Sequence, residues 1–423
     1  MAKKIKLSLP LRLLFLIGSF AMVALVGWLI IQYAQGLRFD IEKRSFEKTG
    51  ILVATSNPDA AQILVNGALK NATNTSLTIL PGTYDVEIAK EGFTSWKKRV
   101  NIESGIVTKA EAWLFPKAPS LSPLTFFGAA NPLLSPNGTK LAWLVSDLAA
   151  DKGGIWVIDL GNLPFGFNRE ARQVSDTKVD NNTLNWSPDS RNLILTNPSL
   201  PALPAQAGQA GGTFLLDPNS FTPQTQLVNI SGKKLTDLKA SWAKIEAKNQ
   251  ASQLAKLPEA VQDILLRKST SWQFSPDENK VIYTASGSAK LAENLTPQLP
   301  GSSSQKQSRD IKANQTYIYD IKEDRNFLVS DDSKDLLIGH LTLAIGHFNR
   351  RLAWFPTSKH LLLAEPNQLT IMDYDGTNRI SVWAGQYQSP FAFPTPDGSQ
   401  IIILTNLGAT NGEAPNLYTL KLR

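Results

Sequence analysis

The sequence predicts an all-β protein with one N-terminal membrane-spanning helix, a small β-sandwich, and a β-propeller of about five to seven blades that carries a helical insertion. Three observations support this fold class. A short turn motif recurs through the last three hundred residues, an uncharged apolar run lies near the N-terminus, and short strand-like segments separated by tight turns fill the region between them.

The recurring motif is centred on Ser-Pro-Asp. Proline suits the second position of a type I turn because its ring fixes φ, aspartate or asparagine suits the next position, and glycine relieves the exit. Each copy precedes an apolar run of strand length, and a second such run, which usually contains an aspartate, follows after a spacer. The copies lie at residues 134–138, 186–190, 274–278, 355–358 and 393–398, of which the last two are degenerate.

A unit of three or four short strands cannot bury both of its faces alone, and radial stacking of such units buries them. The motif prolines are separated by steps of about 52, 88, 80 and 40 residues, so the long steps hold either insertions or blades without a signature. This repeat resembles the TolB-like propeller repeat over roughly residues 120–423. Its order is a strand, a Ser-Pro-Asp-Gly turn, an apolar strand and the sequence Ile-Tyr-x-x-Asp. That resemblance implies a scaffold, a binding module or the non-catalytic part of a peptidase.

The charge of the chain does not favour a nucleic-acid partner. Of the formal net charge of +7 (43 basic minus 36 acidic residues), +4 lies in the first twelve residues, in Lys3, Lys4, Lys6 and Arg12. The remaining residues are close to neutral, so the high pI reflects a targeting segment. The chain has no cysteine, which excludes disulfides, thiolate chemistry and cysteine-ligated zinc.

The N-terminal run predicts a membrane anchor. Residues 13–31 carry no charge, and at 1.5 Å per residue they span close to the ~30 Å hydrocarbon core. The preceding basic residues place the N-terminus in the cytoplasm and everything after the run outside. We therefore predict a basic cytoplasmic tail at 1–12, a signal-anchor in contact with the lipid bilayer at 13–33 and a juxtamembrane stalk at 34–48.

Two alternatives to this anchor remain open. A cleaved signal peptide would use residues 34–36 as its site, although a signal-peptide core of about 7–15 residues is shorter than this run. A buried helix of a soluble protein is disfavoured because the run is apolar on all sides.

Residues 49–116 predict a compact set of short strands, with a hairpin turn at Asn66-Gly67 and a tight turn at 80–82. Their order resembles the PEGA domain, a small surface-associated β-sandwich. The motif of that family corresponds to Pro58-Asp59-Ala60-Ala61, where Ala60 replaces a glycine and predicts a less tight turn. The resemblance implies adhesion or spacing and brings no catalytic residue.

The propeller is expected to occupy residues 117–423, after a Pro/Ser-rich linker at 118–123. Its last repeat lacks a fourth strand. We expect residues 124–127 to supply that strand by pairing with 417–422, which would close the ring.

The stretch 235–267 interrupts the β pattern with two helices. Pro258 is predicted to start the second helix in its first position, and Glu259 to Arg267 to follow. The apolar stripes of these helices either pack on the propeller as decoration or form a lid or partner-binding surface. Two further insertions, 201–212 and 287–314, are predicted to be loops, the second of them mobile. The candidate partner-binding residues are Leu238, Trp242, Ile245, Val261 and Leu265.

No residue pattern predicts a catalytic, cofactor or metal site. His340, His347 and His360 lack the spacing of a zinc motif and are interpreted as structural, and the chain has no nucleophile elbow, P-loop or dinucleotide fingerprint. The acidic stretches 331–335 and 373–376 lack the ligand spacing of a calcium loop. Most of the ten tryptophans fall inside strand repeats and are assigned to blade cores.

These observations favour a non-enzymatic, membrane-anchored envelope protein whose extracytoplasmic propeller binds an envelope protein or polysaccharide, with no cofactor and no nucleic acid. The alternative is a hydrolase that uses acidic residues in the propeller channel. A sensor that signals to a cytoplasmic partner ranks last, because twelve residues leave little room for signalling.

Overall fold

The structure is a computed structural model that describes residues 9–34, 36–40, 45–146, 152–161, 170–177, 182–197, 211–297, 299, 303–339, 349–407 and 414–423. The chain forms two compact units. The first comprises residues 1–90, 95–114 and 299–305, and the second comprises residues 91–94, 115–298 and 306–423.

The first unit begins with helix α1 (Leu9–Ala34), which contains a stretch, Leu13–Tyr33, long and apolar enough to cross a membrane. The residues predicted to be a stalk contain a two-stranded antiparallel hairpin, β1 (Leu37–Asp40) and β2 (Ser45–Lys48). The backbone N–H of Thr49 donates to the carbonyl oxygen of Gly36 at 2.9 Å, so the hairpin is closed next to the following strand.

Two sheets face each other in the rest of the first unit and confirm the predicted β-sandwich. One sheet has the order β6-β3-β9, with β3 and β9 parallel, and the other has the order β5-β4-β7-β8. Buried and more exposed residues alternate in β3, β4, β7, β8 and β9, as in a sheet with one face on a core. The strands are β3 (Gly50–Asn57), β4 (Gln62–Val65), β5 (Ala68–Ala72), β6 (Thr75–Ile79), β7 (Gly82–Ala89), β8 (Trp96–Ile102) and β9 (Val107–Trp113).

Ala60 stands where the related motif has glycine. Its φ is +54°, in the left-handed region that glycine tolerates better than alanine. The next residue, Ala61, is fully buried. The less tight turn expected from the sequence stays a prediction.

In the described residues the second unit contains five sheets of three to five strands, together with a separate two-stranded hairpin. The strands of the five sheets are antiparallel except for one parallel pair at the start of the fourth, and these sheets are the blades predicted from the turn repeat. The blades, each with its strands in chain order, are blade 1 with β11 (Ala130–Leu134), β12 (Lys140–Val145), β13 (Gly154–Asp159) and β14 (Arg172–Ser175); blade 2 with β15 (Thr183–Trp186), β16 (Leu193–Asn197) and β17 (Gly212–Leu216); blade 3 with β18 (Ser269–Phe274), β19 (Lys280–Ala285), β22 (Thr316–Asp320) and β23 (Arg325–Ser330); blade 4 with β24 (Leu336–Ile338), β25 (Arg350–Trp354), β26 (His360–Glu365), β27 (Gln368–Asp373) and β28 (Ile380–Ala384); and blade 5 with β29 (Ala392–Pro394), β30 (Gln400–Thr405) and β31 (Asn416–Lys421).

The N-terminal segment of this unit closes the ring. Strand β10 (Leu121–Pro123) pairs with β31, with Leu121 opposite Leu420, and completes blade 5 as its fourth strand. The strand lies three residues earlier than predicted, within the expected linker, and the chain continues with Leu124 N–H donating to the Leu417 carbonyl at 2.8 Å. A strand ending in proline fits this place because an edge strand does not need every backbone donor.

The repeated turn is held by the hydroxyl of its first residue. In blade 3 the Ser275 hydroxyl donates to Asp277 at 2.6 Å and accepts the backbone N–H of Lys280 at 3.0 Å. The same pair of bonds occurs at Ser135, Ser187 and Thr395. The fourth turn residue has positive φ in all five copies, which explains the preference for glycine at the exit: Gly138, Ser190, Glu278, Ser358 and Gly398.

Neighbouring blades also join through repeat positions. The Trp186 indole N–H donates to the Leu133 carbonyl at 3.0 Å between blades 1 and 2, and the Trp354 indole donates to the Gln273 carbonyl at 3.2 Å between blades 3 and 4. One buried cluster joins blades 5, 1 and 2, and a second joins blades 3 and 4. Between blades 4 and 5 the guanidinium of Arg351 lies 5.1 Å from the centre of the Phe393 ring.

The helical insertion follows blade 2 and precedes blade 3 in the chain. Helix α2 runs over Lys233–Leu254 and helix α3 over Glu259–Arg267, with Pro258 as the residue before α3 and not its first residue. The predicted mobile loop 287–314 contains a short hairpin, β20 (Ala289–Lys290) and β21 (Asp310–Ile311). Near the two ends of this loop, Leu291 and Ile311 are buried in the core of blade 3, so packing orders these parts of the loop.

Candidate functional site

The two helices of the insertion differ in how closely they pack on the neighbouring blades. Helix α3 covers one face of blade 3. Its residues Val261, Ile264 and Leu265 are 1–3% exposed and pack with Phe274 and Tyr283 of the blade. This helix is part of the hydrophobic core, so Val261 and Leu265 cannot reach a partner in the folded state, and their selection as binding residues from the sequence is not supported by their burial.

Helix α2 lies beside blade 2, whose two faces differ. Leu184, Leu195 and Phe214 occupy one face and join the cluster shared with blade 1. The cross-strand pairs Asn185–Ile194 and Thr196–Thr213 occupy the other face. That second face is mostly polar, as expected of a surface in contact with water or a ligand.

A cleft of about 290 Å³ separates this polar face from α2. The floor is formed by the side chains of Asn185, Ile194, Thr196 and Thr213, and one end by Trp186 and Pro188. The roof is formed by residues of α2: Leu235, Lys239, Trp242, Ala243 and Glu246.

The roof residues recur every three or four positions, so they form one stripe of the helix. The apolar residues of this helix that fall at helical spacing are Leu235, Leu238, Trp242 and Ile245. Only the first and third of these line the cleft, because Ile245 is 47% exposed and Leu238, although half-buried, does not line it. Of the five residues selected from the sequence, Trp242 alone lies in the cleft.

Helix α2 is attached to the propeller at its ends. It has 22 residues, and none of them is buried. At its C-terminal end Gln253 Nε2 donates to Glu278 at 2.9 Å and Lys256 pairs with the same carboxylate, which lowers the pKa of Glu278. At its N-terminal end it begins at Gly232, whose φ is +76°. The intervening residues 243–252 are all exposed.

Glu278 is the fourth residue of the repeated turn in blade 3, and in two other blades this residue contacts the preceding blade. The hydroxyls of Ser190 and Ser358, at the same turn position, each accept a backbone N–H of the preceding blade, from Asn137 at 3.1 Å and Asp277 at 3.0 Å. In blade 3 the residue at this position, Glu278, instead binds the C-terminal end of α2. The turn contact between blades has thus been replaced by a contact with the insertion.

Several polar groups of the cleft are not used by the protein. Within the described part of the chain, the side chains of Asn185, Thr196, Lys239 and Glu246 make no hydrogen bond or ion pair with another residue. Trp186 borders the cleft, but it lies on the same face of its strand as Leu184, packs against the core shared with blade 1 and donates its indole N–H to Leu133 there. The cleft therefore combines one indole on the helix with polar donors and acceptors that are available to a ligand.

The other sites considered from the sequence show structural contacts. His360 is 4% exposed, and its Nδ1 lies 2.8 Å from the Thr357 hydroxyl and its Nε2 3.5 Å from Asp373. His340 and His347 lie outside the described residues, as do residues 201–210 of the predicted loop. In the acidic stretch 373–376, Asp375 accepts the Thr377 hydroxyl at 2.6 Å, as in a turn.

The strands β11, β15, β18, β24, β25 and β29 at the start of the blades contain no aspartate or glutamate, and their charged residues are Arg350 and Arg351. Within the described residues, no group of three or more His, Asp or Glu side chains is arranged to hold a metal ion.

Comparison with known proteins separates the two parts of the chain. Residues 49–117 match the family described as PEGA domain. A search of curated proteins gives no match. Solved structures similar to the chain include a TolB from Agrobacterium tumefaciens (13% identity, 69% of this chain and 71% of that chain, TM-score 0.21) and TolB from Acinetobacter baumannii (15% identity, 93% and 67%, TM-score 0.21).

With TM-scores this low, the propeller assignment depends on the strand pairing and the repeated turn of the chain itself. Those features and the family match agree with both resemblances noted in the sequence. The chain contains a PEGA domain, and the propeller that follows it has the repeat of TolB-like propellers.

Proposed function

We propose that this protein is a non-enzymatic binding protein of the cell envelope, anchored in the membrane by α1, with its sandwich and propeller outside the cytoplasm. Its propeller binds an envelope protein or polysaccharide through the cleft between α2 and blade 2. The observation that carries the proposal is this cleft, in which the Trp242 indole of a helix without a buried residue lies over several unpaired polar side chains of blade 2.

Three further features support the proposal. The segment Leu13–Tyr33 can span a bilayer, and the basic residues before it favour a cytoplasmic N-terminus. The PEGA resemblance implies a spacing or adhesive role at a cell surface. The strands β11, β15, β18, β24, β25 and β29 at the start of the blades carry no carboxylate, so none of these strands offers the acid and base pair that a hydrolase uses.

The binding function is tested by capture from an envelope extract of the producing cells, with the full chain in detergent micelles as bait. Deletion of 235–267 would remove core residues of α3, so single substitutions are the sharper test. Trp242→Ala removes the indole that roofs the cleft, and Ile245→Ala is the matched control on the exposed side of the same helix. We expect at least one component whose recovery falls by tenfold or more with Trp242→Ala and is unchanged with Ile245→Ala.

If every captured component is retained equally by both variants, the cleft is not the binding surface and the proposal is wrong.

The membrane anchor and its orientation are tested by a separate experiment. Wild-type protein should stay with the membrane in alkaline carbonate, and its propeller should be cut by protease added outside intact spheroplasts. Protection from that protease would contradict the topology.

A further inference from the structure

We infer that the cleft binds a neutral polysaccharide, with one sugar ring of the polymer inserted between Trp242 and the polar face of blade 2. This inference rests on the proposed function and narrows its partner to one chemical class. The elements that carry it are the aromatic surface of Trp242, the neutral hydrogen-bonding groups of the floor, and the balance of charge.

The indole of Trp242 provides the apolar contact that a sugar ring needs. A pyranose presents C–H groups on its ring faces, and an indole covers more of this apolar surface than any smaller side chain. Trp242 is half-buried on the roof, whereas Trp186, which also borders the cleft, packs against the core shared with blade 1 and bonds to Leu133 there.

The floor provides hydrogen bonds of both directions. The Asn185 amide donates and accepts, and the hydroxyls of Thr196 and Thr213 can do either. Ligand hydroxyl groups also donate and accept, so a neutral polyol can satisfy this set without leaving a charged group unpaired. Asn185 and Thr196 are half-buried, and both line the cleft from adjacent strands of the same face.

The electrostatics disfavour an anionic ligand. Among the described residues, the lining has one cation, Lys239, and one anion, Glu246, both on α2. They lie seven residues apart on the same stripe, on either side of Trp242, so this described lining has no net charge. A phosphate-rich ligand or a nucleic acid would require a surplus of cations.

The geometry also disfavours a peptide that adds a strand to blade 2. Such binding needs a free sheet edge. The outer edge of β17 is occupied by the next segment: Ile230 N–H donates to the Thr213 carbonyl at 2.7 Å, and the Thr213 N–H donates to the Ser231 hydroxyl at 3.0 Å. The cleft volume of about 290 Å³ corresponds to about ten water molecules, which suits one sugar ring.

The test uses the full chain in micelles of a detergent without a sugar headgroup, titrated with soluble hexamers of glucose, mannose, galactose and N-acetylglucosamine. Binding is measured by calorimetry and by the fluorescence shift of tryptophan. We expect saturable binding of at least one hexamer. Trp242→Ala should weaken it at least tenfold, Asn185→Ala about threefold or more, and Ile245→Ala should leave it unchanged with the same thermal unfolding temperature.

Two results overturn the inference and leave the proposed function intact. In the first, no hexamer binds, yet capture from the envelope extract still depends on Trp242. In the second, that extract yields a protein as the only component sensitive to Trp242→Ala. Hexamer binding that is equal in wild type and Trp242→Ala also overturns the inference, because it places the glycan elsewhere. Failure of both hexamer binding and Trp242-dependent capture removes the proposed function as well.

Discussion

Helices α2 and α3 are consecutive in the chain and belong to one insertion, but they have opposite relations to the propeller. Helix α3 has nine residues, three of them buried against blade 3, whereas α2 has 22 residues and none buried. One helix completes the core of a blade, and the other forms the roof of an open cleft. The insertion is therefore divided into a structural part and a part that is free to serve binding.

The difference follows from the blade faces that the helices meet. Blade 3 offers an apolar face with Phe274, Val281 and Tyr283, and an amphipathic helix gains free energy by covering it. Blade 2 offers a face with Asn185, Thr196 and Thr213, on which burial of a helix would leave polar groups without water. A polar face next to a helix thus keeps the helix at a distance and leaves a cleft.

The largest expected effect separates the two helices by stability. Ile264→Ala should lower the free energy of unfolding by about 2–5 kcal/mol, because it opens a cavity in the core under α3. The same substitution on α2, Ile245→Ala, should change it by less than about 0.5 kcal/mol, because that side chain is exposed. The measurement is urea unfolding of the full chain in micelles. Equal losses in the two variants would contradict the division of the insertion.

A second expected effect concerns local opening. Backbone amides of residues 243–252 should exchange with deuterium at least a hundredfold faster than those of α3, a difference of about 2.7 kcal/mol in opening free energy. The reason is that this part of α2 is exposed on all sides, while α3 is held by buried side chains. Mass spectrometry of the unmodified chain measures both helices in one experiment. Comparable protection would mean that the middle of α2 is held by contacts other than those at its ends.

The sequence predicted the structural half of the insertion better than the binding half. The range of α3 was predicted to the residue, because Pro258 marks the start and Val261, Ile264 and Leu265 share one apolar face. On α2 the residues Leu235, Leu238, Trp242 and Ile245 fall at helical spacing, and Leu235 and Trp242 of these line the cleft. Which stripe faces the cleft depends on floor residues between Asn185 and Thr213, and hydrophobicity on α2 carries no information about them.

The tryptophans show what the repeat itself predicts. Trp143 is 2% exposed in a blade core, and Trp186, at the motif position, packs against the same buried cluster while it also borders the cleft. The repeat fixes where a tryptophan lies on its strand. The presence of a cleft next to Trp186 depends on the insertion, which interrupts the repeat between blades 2 and 3.

The smallest expected effect compares the two repeat turns on either side of the insertion. Burial alone would raise the pKa of Asp277 in blade 3, but hydrogen bonds from Ser275 and Asn279 and the nearby Lys280 outweigh it and lower the pKa to about 2. In blade 2 the Ser187 hydroxyl is the main cause that lowers the pKa of Asp189.

A carboxyl group whose pKa is lower in the folded state stabilises the fold above its unfolded pKa of about 3.8, and this contribution is lost as the pH falls toward 2. Asp277→Asn should therefore flatten the loss of stability between pH 5 and pH 2.5 by less than about 1 kcal/mol, since water screens an exposed carboxylate. Asp189→Asn should flatten it less, because fewer side chains bond that carboxylate. Urea midpoints of wild type and both variants at the two pH values test this order. A steeper acid dependence in Asp277→Asn than in wild type would show that the hydrogen-bonded turn does not favour the ionised form.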